Sequence, residues 1–262
     1  MSGLSLRRIA VFSALIVLLF YGGLILSLFW FFDTIKFREL LFSKRTLFSL
    51  QISLFASVLA AILAIGLAIP AAYALSRYRF VGHKLVDILL EFPLIISPAS
   101  LGAILLIFFN NPLGTWLQEN TIRFVFTFAG IVLAQFVATL GIAVRMVKTV
   151  MDEIPPEMDT IARTLGAKPI FAFFTITLPL ARKGILAAFI LVWAKALGEF
   201  GTTITVAGTM AMRTETLPIA IYMRLATAEI EGTVALIFIL IGIGLSALFL
   251  ARIALGKDIY RA

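Results

Sequence analysis

Two ionisable residues inside an apolar run are the first place to look for chemistry. Lys195 and Glu199 lie within the mostly apolar stretch 184–207. Their i, i+4 spacing puts them on one face of a helix, where they can pair. A charge in a bilayer costs several kcal/mol unless it is paired or faces water. The pair therefore reads either as a structural ion pair or as part of a polar path or gate, together with Gly198, Phe200 and Gly201. A carboxylate repels anions, so Glu199 is not expected to bind one, whereas Lys195 could attract one. The glycines suit close helix packing or a local bend. The chain offers little else for catalysis. It has no cysteine and one histidine, His83, set in a basic turn with Arg77, Arg79 and Lys84. No Gly-x4-Gly-Lys-Ser/Thr phosphate loop is present. Neither an enzyme nor a nucleotide, metal or cofactor site is expected.

The second chemical feature is a polar stretch, 155–169. Pro155 and Pro156 suit a helix start. Glu157 and Asp159 put negative charge on the first turn, where the helix dipole favours it. Met158, Ile161, Ala162 and Leu165 recur at i, i+3, i+4 and i+7 and form one apolar face. Arg163 lies in the last turn, Gly166 suits the position after the C-cap, and Lys168 and Pro169 mark the stop. The spacing predicts a short amphipathic helix over 156–166. Periodicity leaves two readings open: a helix lying on lipid headgroups, or one docking into a groove on a partner.

The elements that position these residues are apolar helices. Of 262 residues, 61% are hydrophobic and 14% charged, with a mean hydropathy of +1.08. Soluble domains carry roughly 45–50% apolar and about 25% charged residues. The composition excludes a soluble enzyme, a disordered chain and a disulfide scaffold. A helix needs about 20 apolar residues to cross the hydrocarbon. Six stretches qualify: 9–32, 46–76, 92–109, 124–144, 184–207 and 232–251. The fold class is all-α, a polytopic membrane protein of six transmembrane helices. Pro70, Pro93 and Pro98 are expected to kink spans. The first span is longer than a signal-peptide core, and Phe29-Trp30-Phe31-Phe32 reads as an aromatic interfacial belt. The stretch Leu217–Ala228 is too short to cross and suits a re-entrant or interfacial helix.

Net charge is +8, which in a soluble protein would suggest nucleic acid. Here the basic residues lie between spans and read as a topology signal, so no nucleic-acid partner is expected. With the N-terminus inside, fourteen of the 22 Lys and Arg fall on cytoplasmic segments and seven outside. This bias favours cytoplasmic termini at both ends.

Spacing beyond the short helix carries a family resemblance. Gly166 is followed after nine residues by Ile176-Thr177-Leu178-Pro179. This resembles the signature loop of ABC importer permeases, Glu-Ala-Ala, three residues, Gly, nine residues, Ile-x-Leu-Pro. Thr160 and Ile161 stand where the family has Glu and Ala, and only Ala162 matches that triplet. The run Ala162-Arg163-Thr164-Leu165-Gly166-Ala167 is similar to the molybdate and sulfate branch. So are Ala196-Leu197-Gly198-Glu199-Phe200-Gly201, the outer stretch Arg213–Tyr222, and Phe92-Pro93-Leu94 with Pro98 and Gly102. The resemblance covers roughly 46–255.

The resemblance implies a type I permease fold with a cytoplasmic coupling helix. That helix, carrying Pro156, Glu157, Asp159, Ile161, Ala162, Arg163, Leu165 and Gly166, with Pro179 beyond it, would sit in the cleft of a separate cytoplasmic ATPase. Lys195, Gly198, Glu199, Phe200, Gly201 and Pro98 would line the pathway or gate. The implied function is import of a tetrahedral oxyanion, molybdate or tungstate, with sulfate or thiosulfate as the alternative. An extracytoplasmic binding protein would deliver the oxyanion to a homodimer in the inner membrane. The expected organisation is an anchor over 1–45, a permease domain over 46–255 and a cytoplasmic tail over 256–262. A secondary transporter or channel is the rival reading. It would be expected to show matching halves, and no such repeat is visible.

Overall fold

The computed structural model describes residues 3–255; the expected tail 256–262, with Lys257 and Arg261, lies outside the described residues. The described residues form helices and turns without strands. In chain order the helices are α1 (Gly3–Ser27), α2 (Thr34–Leu41), α3 (Lys44–Arg77), α4 (His83–Leu89), α5 (Phe92–Ile95) and α6 (Pro98–Phe109). There follow α7 (Pro112–Asn120), α8 (Phe128–Asp152), α9 (Glu157–Thr164), α10 (Pro169–Ala172), α11 (Leu178–Leu197), α12 (Gly201–Ala207), α13 (Leu217–Ala226) and α14 (Ile230–Leu255).

Among the described residues five helical stretches are long and apolar enough to cross a membrane, and a sixth crossing is available there as a bent pair. The stretch 92–109 does not form one straight span. His83–Ile95 and Pro98–Phe109 meet at 114°. The cause is local. Ser97 precedes a proline and is held extended (ψ 146°), away from the helical region. Its hydroxyl caps α6 by accepting the Ser100 N–H, and Pro98 takes the first helical position. The stretch 184–207 is likewise divided. Its helix begins earlier, at Pro169, and ends at Leu197; α12 is a separate short helix. Between α10 and α11 the chain makes a π-helical turn, Phe173–Thr177. Pro179 lacks an N–H and its ring crowds the carbonyl four residues back, at Thr175, so a wider turn there relieves the clash.

The core is α3, α8 and α11. α3 turns Ser49, Ser53, Ala56, Ala60, Ala64 and Ala68 inward, and these small side chains let α8 approach closely. Larger partners fill the seam, among them Val144, Val147 and Met151 of α8 and Ile185 and Val192 of α11. Gly141 of α8 is essential to a neighbouring contact, since a Cβ there would stand 2.2 Å from the Leu90 carbonyl oxygen. Glu91, beside it, pairs with Arg145 of α8 and not with the basic turn near His83. His83 places Nε2 3.0 Å from the Leu75 carbonyl, a structural contact.

α1 stands apart, its apolar side chains exposed from Leu6 onward. The aromatic belt after it divides. Phe29 and Phe32 pack on Phe238 of α14, with ring centroids 4.9 and 5.2 Å away, while Trp30 is exposed. α13 is the short apolar helix expected from the sequence. It packs on α14 and α3 through Leu217 and Ala220.

Candidate functional site

The helix over 156–166 forms as α9, with Pro156 as its N-cap and Glu157 and Asp159 in its first turn. Its end is a Schellman closure. The Gly166 N–H donates to the Arg163 carbonyl and the Ala167 N–H to the Ala162 carbonyl, each at 3.0 Å. Gly166 holds φ +90°, where a side chain is strained.

The orientation of α9 is the reverse of an ordinary surface helix. Its apolar residues Met158, Ile161 and Leu165 face outward, with Leu165 84% exposed. Its polar Asp159 is buried, 8% exposed. Glu157 and Arg163 are exposed beside the apolar face, and Ala162 is half-buried. Ile170, Phe171 and Phe174 just beyond are also exposed. Ala162, Leu165, Ala167, Ile170, Phe171 and Ile176 line a shallow apolar groove of about 670 Å³. Buried polar groups and exposed apolar patches are the informative exceptions to ordinary burial, and this element has both.

A second cluster forms where the two divided helices meet. Between α11 and α12, the Glu199 carboxylate is buried. It accepts the Thr202 N–H at 3.0 Å, satisfying an orphan donor at the start of α12, and accepts from Lys195 Nζ at 3.3 Å. Lys195 remains about half exposed, 49%, against 3% for its partner. The Thr202 hydroxyl donates to the Pro98 carbonyl at 3.0 Å, tying the second break to the first. A Cβ on Gly201 would lie 2.7 Å from Pro98 Cβ and 3.2 Å from the Ala99 nitrogen. One on Gly102 would lie 2.6 Å from Thr205 Cβ. Gly198 sits at the end of α11 with nothing closer than 3.7 Å to an added Cβ, so it marks the bend and not a close contact. Phe200 packs on Tyr222 of α13, centroids 4.8 Å apart. The structure thus brings Pro98, Lys195, Glu199, Phe200 and Gly201 to one joint, and sets the α9 residues and exposed Pro179 elsewhere.

Sequence reasoning missed two polar ties. Glu215 is fully buried and takes a two-pronged bond from Arg45, Nε at 2.7 Å and Nη2 at 2.6 Å. In the sequence Arg45 reads as one of the basic residues between spans. Asp159 meets Tyr73, Arg77 and Thr177. A carboxylate on the inner face of an otherwise outward-facing helix had no sequence signal of its own.

Residues 62–255 match the family described as the binding-protein-dependent transport system inner membrane component. The chain belongs to that family. The permease is 35% identical over 190 residues to the molybdenum transport system permease protein ModB of Haemophilus influenzae, covering 71% of this chain and 83% of that one. It is 35% identical to ModB of Escherichia coli over 77% of this chain and 90% of the relative. It is also 29% identical to the sulfate transport system permease protein CysT of Escherichia coli, over 94% of this chain and 89% of the relative. In fold the permease is similar to the bacterial alginate ABC transporter solved with an alginate pentasaccharide-bound periplasmic protein. That match has a TM-score of 0.78 at 16% identity, over 98% of this chain and 96% of the other. The permease is therefore a multi-pass membrane component of the ABC importer class, with the type I fold.

Proposed function

We propose that this chain is the membrane subunit of an ATP-driven importer for a tetrahedral oxyanion, molybdate or tungstate. The observation that carries the coupling half of this reading is the orientation of α9, which offers its apolar face outward beside an apolar groove. A separate cytoplasmic ATPase is the partner whose cleft this face fits. The chain works as a homodimer in the inner membrane, both termini cytoplasmic, and an extracytoplasmic binding protein delivers the ion. Residues 46–255 make the permease domain and 1–45 the anchor. Likeness to the ModB proteins supports the substrate; likeness to CysT over more of the chain keeps sulfate or thiosulfate as the second reading. The test is the mass of the complex recovered with its ATPase, followed by uptake of labelled molybdate, tungstate and sulfate. A two-plus-two assembly that takes up molybdate in preference to sulfate supports the proposal. Recovery of the chain without an ATPase sinks the coupling half of the proposal.

Two predictions belong to the proposed residues. The α11–α12 joint acts as the gate, with Glu199 holding α12 by its N-terminus. Glu199→Gln keeps an acceptor for the Thr202 N–H but loses the charge facing Lys195. It should leave the complex assembled while changing uptake, measured as initial rate per milligram of complex. Loss of the folded complex would instead assign Glu199 a structural role. Gly166→Val forces a β-branched residue to positive φ, at a cost of roughly 1–2 kcal/mol. It should fray the end of α9 and lower uptake per ATP hydrolysed, read in liposomes. Unchanged uptake would remove the cap from the mechanism.

A further inference from the structure

One helix touches both the coupling helix and the outer loop. At the inner end of α3, Tyr73 and Arg77 meet Asp159 of α9. The Tyr73 hydroxyl and Arg77 Nε each lie 3.4 Å from Oδ2, and the Thr177 hydroxyl donates to Oδ1 at 2.6 Å. Arg77 is itself buried, its side chain 8% exposed, and donates through Nη2 to the Ile154 carbonyl at 2.7 Å. At the other end of α3, Arg45 grips Glu215, and the Ser53 hydroxyl accepts the Leu217 N–H at 2.7 Å. Thr214, Glu215 and Thr216 are fully buried there.

We propose that α3 is the element that carries displacement of α9 to the outer segment 208–217, and that Asp159 is the positioning residue fastening α9 to it. The proposal rests on the coupling reading of α9 above. Three features of the structure support it. First, α3 is a single helix of 34 residues, about 51 Å at 1.5 Å per residue, longer than the hydrocarbon is thick. Second, it is fastened at both ends by a charge pair. At the outer end the Arg45 fork on Glu215 fixes angle as well as distance, and at the inner end Arg77 and Asp159 are buried 3.4 Å apart, where removing either charge is penalised. Third, between those ends α3 meets its neighbours through small side chains, chiefly Ala60, Ala61, Ala64, Ala68 and Ala72. Packed helices move relative to one another by small sliding shifts at interfaces of this kind. A push on α9 therefore enters α3 at Asp159 and leaves it at Glu215. Linkage requires the reverse as well: a protein bound on the outer segment biases α9.

The test uses the full complex with its ATPase and binding protein in liposomes, reading ions taken up per ATP hydrolysed. Asp159→Asn leaves the buried Arg77 without its counter-charge and should lower the yield, whereas Arg45 is half exposed and Glu215→Gln should assemble; in the assembled complex each should lower that ratio by about tenfold. Tyr73→Phe and Thr177→Val each remove one bond without unbalancing charge, and should lower it partially. Tyr73→Phe combined with Glu215→Gln should be no worse than Glu215→Gln alone, because both cut one link. A separate readout needs no transport. The chain has no cysteine, so Thr160→Cys gives a unique spin-label site on the exposed side of α9. The label should become more mobile in the Asp159→Asn background. A native ratio in Asp159→Asn, or losses that multiply in the double variant, overturns the proposal. Should Asp159→Asn fail to assemble, native ratios in both Tyr73→Phe and Thr177→Val overturn it equally. Absence of an ATPase from the native complex overturns the coupling reading itself. A coupled native complex with fully coupled variants overturns only the role of α3.

Discussion

Leu165→Asp is expected to strip the ATPase from the complex and reduce uptake to background while the membrane domain stays folded. The two halves of this result have separate causes. In the isolated chain Leu165 is almost fully solvated, so a carboxylate there is hydrated and costs the fold little. Surface changes of this kind usually stay within about 0.5 kcal/mol. In the docked state the same position would be dry. Fully burying a Leu side chain is worth roughly 1.5–3 kcal/mol, so losing it from the docked face costs about 2 kcal/mol. A charge left without a partner adds to that loss. The change should weaken docking by at least about thirtyfold, since each 1.4 kcal/mol is tenfold. Ile161→Asp, on the same face and 56% exposed, should behave alike. The measurement is ATPase recovered per permease in detergent, alongside the thermal midpoint of the permease. Full recovery of ATPase with Leu165→Asp would mean that α9 docks by another face.

Gly201→Val is expected to have the opposite signature, destabilising the membrane domain itself. The added Cβ would meet Pro98 Cβ at 2.7 Å and the Ala99 backbone nitrogen at 3.2 Å. Neither atom is the end of a flexible side chain, so α6 and α12 must separate. Separation lengthens the bond from Thr202 to the Pro98 carbonyl, which holds the two breaks together. Overpacking of this sort costs about 1–3 kcal/mol. The control is Gly198→Ala, one turn away at the same joint. Its Cβ meets nothing closer than 3.7 Å and its φ is −85°, so it should fold and transport normally. The comparison is made by thermal unfolding in detergent and by uptake. Equal midpoints for Gly201→Val and the native chain would show that the joint tolerates separation, and that the close approach seen at Pro98 is not required.

The features legible in the sequence are those with local causes. The apolar stretches announce themselves because each must cover the hydrocarbon thickness unaided. The start and stop of α9 follow from Pro156, the first-turn acids and Gly166, each acting within a few residues of itself. The proline before the α6 turn was visible too, but read as a kink. Whether a proline bends a span or divides it depends on what receives the freed carbonyl. Here the bend at Ser97 is held from outside the span: the Thr202 hydroxyl, a hundred and four residues away, donates to the Pro98 carbonyl. Likewise the pairing of Lys195 with Glu199 followed from helical spacing, whereas the bond from Thr202 to Glu199 required the chain to leave the helix at Gly198.

That this is an all-helical membrane protein, where its apolar runs lie, and that a short capped amphipathic helix separates two of them can all be read from the residues in order. Chain length, hydropathy and capping chemistry suffice for that, because each is decided within one element. Which way α9 faces, how two divided helices dock break to break, and which carboxylates are buried depend on packing between distant parts of the chain. Asp159 meets Tyr73 across 86 residues of chain, and Glu215 meets Arg45 across 170. A carboxylate buried beside an arginine and one left in water look the same in a linear sequence. The difference lies in the desolvation and pairing that packing imposes, and those depend on neighbours the local sequence does not name.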